Sequence, residues 1–146
     1  MKIEAQYSFF SDSELVWARL METEVLAECI PGCREFSLIA EDVYKVEINA
    51  GIGAFSGTFN GTIKVIERDV PRSFRILVDG KGPAGELSGD VLLKFDDVDG
   101  AAEIELVGDV QATGMLTVLG QRLMAPASKV IIDKFFDCLR DKMGVP

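Results

Sequence analysis

The chain has 146 residues, 48% of them hydrophobic, and carries 24 acidic against 15 basic side chains for a formal charge of −9. A single domain of that size buries roughly 70% of the surface its unfolded chain exposes, which excludes disorder as a main theme. A net negative field without a Lys/Arg stripe excludes nucleic acid as a partner and leaves at most transient contact with an anionic membrane.

Residues 2–10 alternate, with Ile3, Ala5, Tyr7 and Phe9 on one face, and read as a strand. The acid at Glu4 and the period of two argue against a signal peptide. Ser11 or Asp12 supplies an N-cap oxygen for a short helix through Leu15, Val16, Trp17, Leu20 and Met21. A second helical turn over about residues 24–30 stops at Pro31-Gly32, which cannot continue it. The period then changes to two. Strands are expected at 34–40, 43–50, 57–67, 73–81, 86–95 and 102–110, divided by turns such as Glu41-Asp42, Asp69-Val70-Pro71 and Asp97-Val98-Asp99-Gly100. Consecutive hairpin-linked strands make the sheet antiparallel.

The last segment, 115–143, repeats Leu116, Leu119, Leu123, Ala127, Val130, Ile131, Phe135, Cys138 and Leu139 at steps of three and four. It is a long amphipathic helix, expected to kink or divide at Pro126. A sheet that meets only one long helix must curl around it to cover the helix's apolar face. The expectation is an α+β fold in which a curved seven-stranded antiparallel sheet wraps the C-terminal helix. The whole of residues 1–146 forms one ligand-binding domain, with space for a cavity between sheet and helix.

The chain contains no histidine, so general-base and metal-ligand roles would fall to other groups. No apolar run approaches the ~20 residues of a membrane span. Cys29, Cys33 and Cys138 are odd in number and follow no secretory signal, so reduced thiols in the cytoplasm are expected. Cys29-Ile30-Pro31-Gly32-Cys33 has no further Cys pair or His to complete a zinc tetrahedron and reads as a structural corner. The glycines of residues 51–57 precede a strand where a phosphate loop needs a helix, which leaves Ile52 and Phe55 as apolar residues that pack inward or dock. Lys81 sits in a turn, and Asp96, Asp97, Asp99, Glu103 and Glu105 read as solvated acids.

Several stretches together bring a family into view. They are Leu26-Ala27-Glu28-Cys29-Ile30-Pro31-Gly32-Cys33, Gly57-Thr58-Phe59-Asn60-Gly61, Gly80-Lys81-Gly82-Pro83-Ala84-Gly85 with Ser88-Gly89, Gly114-Met115-Leu116, Leu119-Gly120-Gln121-Arg122-Leu123 and Phe135-Phe136. On these the chain resembles the carbon-monoxide dehydrogenase CoxG family of the START/Bet v 1-like, helix-grip superfamily. The resemblance implies a β-α-α-β6-α grip with a hydrophobic tunnel under the last helix, and a link to molybdenum hydroxylases of the carbon-monoxide dehydrogenase type. It also implies an accessory role in carrying a lipophilic quinone between membrane and enzyme, and it carries over no catalytic residue. The family's C-terminal anchor has no counterpart before Pro146, so a cytoplasmic protein, at most peripheral to the inner face of the membrane, is expected.

The functional expectation is non-catalytic binding of a lipophilic small molecule. No metal and no cofactor is expected beyond a bound quinone or other lipid. The expected lining is Trp17, Tyr44, Ile52, Phe55, Phe59, Leu116, Leu119, Leu123 and Met124, with access past the helix start. Two alternatives stand beside it. A cyclase/dehydratase- or hydrolase-like enzyme on the same fold needs an acid or base inside the cavity. An assembly factor docking on an oxidoreductase needs only a surface.

Overall fold

Period-two patterning through most of the chain produces one sheet, and the two ends supply its helices. The computed structural model describes residues 1–52 and 55–146, without the side chains of residues 52, 55 and 118–123. In chain order the elements are β1 (Lys2–Phe9), α1 (Ser13–Leu20), α2 (Thr23–Cys29), β2 (Cys33–Ala40), β3 (Val43–Ile52), β4 (Phe55–Asp69), β5 (Ser73–Gly82), β6 (Gly85–Val98), β7 (Ala101–Ala112) and α3 (Met115–Met143). The sheet has seven strands in the order β1-β7-β6-β5-β4-β3-β2. Every neighbouring pair is antiparallel, and β1 reaches its place by pairing with β7. This is the α+β helix-grip architecture, a curved sheet around a C-terminal helix.

The short helices are fixed at their ends. Asp12 caps α1 by accepting the Leu15 N–H at 2.7 Å. Asp97, which the sequence places among solvated acids, instead accepts both the Ser13 N–H and the Ser13 hydroxyl at 2.9 Å. That carboxylate arrives from the far end of β6, a placement no local pattern reveals. Ser13 is buried, and the bond ties the start of α1 to the sheet. After α2, Gly32 adopts φ +74°, and a Cβ there would lie 2.3 Å from the Asn49 carbonyl oxygen. The Gly32 carbonyl accepts the Asn49 N–H at 2.8 Å, so the Pro-Gly corner locks α2 against β3.

Helix α3 runs as a single element through Pro126, so of the kink or division expected from sequence the division does not occur. Proline removes a single backbone donor, and burial of Met124 and Ala127 on either side holds the helix on the sheet. Gly144 closes it in the left-handed region with φ 67°, and Arg140 and Lys142 occupy the last turn, where the helix dipole favours cations.

The C-terminal half of α3 is tied to two neighbours. Towards β1, the Tyr7 hydroxyl donates to Asp133 at 2.7 Å, and the Tyr7 ring stacks on Phe136 with centroids 4.2 Å apart. The Arg140 guanidinium donates to the Ser8 carbonyl at 3.0 Å and lies 4.8 Å over the Phe9 ring. Towards α2, Lys142 pairs with Glu28, and Cys29 is joined to Cys138 by a disulfide with Cα atoms 5.3 Å apart. This corrects the expectation of three reduced thiols. Packing of α2 on α3 brings together cysteines 109 residues apart, and Cys33 alone stays free.

A cross-link closing so long a loop sits at the upper end of the usual range, about 2–4 kcal/mol. Urea unfolding with and without reductant should show a loss of that size, and Cys138→Ser should reproduce it. Alkylation before reduction should label one thiol; three labelled thiols would contradict the pairing.

Candidate functional site

The inward positions of six strands face one apolar space. Tyr44 and Ile48 of β3, Ile63 and Val65 of β4, and Phe74 and Ile76 of β5 stand at period-two spacing, joined by Phe36, Leu93 and Leu106 from β2, β6 and β7. Above them α3 presents Ile131, Ile132, Phe135 and Phe136, neighbours on one helical face. The side wall is Leu20 and Met21 at the end of α1, Leu26 of α2, and Ile30-Pro31 of the corner. Together they enclose a cavity of about 250 Å³.

Among the described residues the lining contains no carboxylate, amine or guanidinium. Its one hydroxyl is that of Tyr44, whose ring centroid lies 5.0 Å from that of Phe36. A space of this kind can hold an apolar molecule. The other clefts lie on the polar outer surface of the sheet. Lys81, for example, is 77% exposed and pairs with Glu86 at 3.3 Å, as a turn lysine should.

Ionisable groups with perturbed affinities stand at the rim, between β1 and α3. Burial raises the Tyr7 pKa well above its ordinary value, and the Asp133 carboxylate that accepts its proton adds to the effect. The hydrogen bond from Tyr7 in turn lowers Asp133, helped by Lys129 at 3.2 Å. The contact is a clamp for the helix, since its groups do not line the cavity.

Residues 8–144 match the carbon monoxide dehydrogenase family CoxG. The chain belongs to that family. No curated protein matches the CoxG-family chain in a sequence search. Among solved structures it is similar to a conserved protein from Geobacillus kaustophilus at 26% identity and TM-score 0.95, covering 99% of this chain and 95% of that one. A START superfamily protein from Mycobacterium smegmatis shares the fold at 6% identity and TM-score 0.77, over 97% and 95% of the two chains. Ara h 8.0201 does so at 12% identity and TM-score 0.73, over 97% and 96%. The last two likenesses establish the START/Bet v 1-like fold.

The residues expected from sequence to hold a guest fall into separate places in this CoxG-family chain. Tyr44 lines the cavity. Trp17 stands behind it, edge-on to Phe74 at 4.8 Å and beside Phe95 at 5.4 Å, in the main buried cluster. Phe59, Leu116 and Met124 form a second buried cluster with Ala127 under the first half of α3. Phe59 reaches that cluster across Gly82, where a Cβ would lie 2.5 Å from its ring. The side chains of Ile52, Phe55, Leu119 and Leu123 lie outside the described residues. The cavity itself sits under the second half of α3, and sequence reasoning missed Leu26, Ile30, Ile132 and Phe135 as its walls. The signal was present: Ile131 and Phe135 are one turn apart, and the Ile-Pro corner follows α2 directly.

Stability should respond to pH through the Tyr7–Asp133 clamp. Tyr7 has its folded pKa raised above the ordinary 10.0, so its contribution is complete below about pH 10 and is lost as pH rises beyond it. Asp133 has its folded pKa lowered below the ordinary 3.8, so its contribution is present above that value and lost as pH falls through the folded pKa. Urea midpoints followed across pH should show both limbs, and Tyr7→Phe should flatten the alkaline one and shrink the acid one. An unchanged profile would show that the hydrogen bond does not form in solution.

Proposed function

We propose that this CoxG-family protein binds and carries a neutral lipophilic small molecule in the cavity between α3 and the sheet. The carrying observation is a cavity whose described walls are hydrocarbon, with a single hydroxyl among them. Removal of apolar surface from water is favourable by roughly 25 cal/mol per Å², so a guest burying roughly 200 Å² gains about 5 kcal/mol before association costs. The volume suits a ring or a short chain, and a longer guest would extend beyond the described walls.

Family membership supports the finer reading. A quinone carries an apolar body and neutral polar atoms, and a partner of the carbon-monoxide dehydrogenase type would receive or supply it. Among the described residues no helix is long and apolar enough to cross a membrane. The enzymatic alternative lacks an acid or base in the lining.

The reading is tested by thermal melting with 2-methyl-1,4-naphthoquinone and by native mass spectrometry of the complex. A guest at a hundred times its Kd should stabilise the protein by about 2.7 kcal/mol. Ile131→Trp places an indole in the cavity and should weaken binding at least tenfold while leaving the melt of the free protein within a few degrees. No shift for the natural chain, or equal shifts for both, would contradict cavity binding.

A further inference from the structure

We propose that Tyr44 is the specificity-determining residue of the cavity, and that the guest is an uncharged molecule whose hydrogen-bond acceptor, a carbonyl or ether oxygen, receives the Tyr44 proton. The inference rests on the carrier reading above and narrows its ligand class. Tyr44 is 8% exposed and lines the cavity. No hydrogen bond joins its hydroxyl to any group among the described residues, while every side-chain polar atom fully sealed from solvent has a partner. The Tyr44 oxygen is therefore not sealed from solvent, and its side chain lines the cavity.

Water is a poor partner there. An ordered internal water needs two to four polar groups, and the described walls provide this one side-chain hydroxyl. A pure hydrocarbon guest would leave the hydroxyl unpaired, which is unfavourable in a low-dielectric site. A carboxylate guest would bring a charge to walls that hold no cation among the described residues. A neutral acceptor satisfies the phenol and adds no donor of its own to bury. The chain's other tyrosine makes the contrast, since Tyr7 donates a hydrogen bond to Asp133 at 2.7 Å.

The test uses n-undecane and 2-undecanone as a matched pair, with decanoate as the charged comparison. Each displaces N-phenyl-1-naphthylamine from the full chain and from Tyr44→Phe. Hydrophobicity alone favours the alkane, so the quantity that decides is the change in the ketone-to-alkane affinity ratio between the two proteins. Tyr44→Phe should weaken the ketone about tenfold, the loss of one hydrogen bond, and leave the alkane unchanged or tighter. Decanoate should bind the natural chain more weakly than the ketone. An unchanged ratio, or decanoate bound more tightly than the ketone, would overturn the proposal.

A second readout is independent of the variant. The infrared carbonyl stretch of 2-undecanone bound to the natural chain should lie below its position in hexane. A bound carbonyl at the hexane position would equally overturn the role of Tyr44. Failure of every probe, the fluorescent amine included, to enter the natural chain would remove the carrier reading itself, an outcome distinct from binding without selection.

Discussion

The structure depends on how one helix is held across a sheet wider than the helix can cover. The second half of α3 is tied to β1 through Tyr7, Ser8 and Phe9, and to α2 through the Cys29–Cys138 disulfide and the Glu28–Lys142 pair. Its first half rests on Phe59 through Leu116, Met124 and Ala127. Neither set of contacts can relax without breaking buried packing. Under Ile131, Ile132, Phe135 and Phe136 of the second half about 250 Å³ remains between helix and strands.

Polar chemistry is sorted around that space. Ion pairs and hydrogen bonds of α3 lie at its ends and rim, where water screens them and where they fix geometry more than they add stability. The interior keeps hydrocarbon walls. The two tyrosines show the division: one is spent on the clamp to α3, and the other stands in the wall without a hydrogen-bond partner among the described residues. This arrangement fits a protein that receives a neutral apolar molecule and releases it unchanged.

Much of this fold was legible in the residues because burial on one face writes a period. Strands β1 to β7 follow alternation, and α3 follows its Leu/Ile/Phe stripe over 115–143. The corner at Pro31-Gly32 was legible because its residues can do little else. Long-range pairings were not. Nothing near Cys29 points to Cys138, and nothing near Asp97 points to Ser13, since both meetings are consequences of the assembled layers. The same limit applies to the site. An inward aromatic such as Trp17 carries one pattern whether it fills the core or walls a cavity, and only the height of α3 above the strands decides between them.

Xenon shows most directly whether the space under α3 is empty and apolar, because such cavities stay dry and bind it. In crystals of the free protein pressurised with xenon, the account places a xenon peak between Ile131 and Phe135 of α3 and Ile76 of β5. Electron density showing those side chains in mutual contact, with no xenon between them, would contradict it.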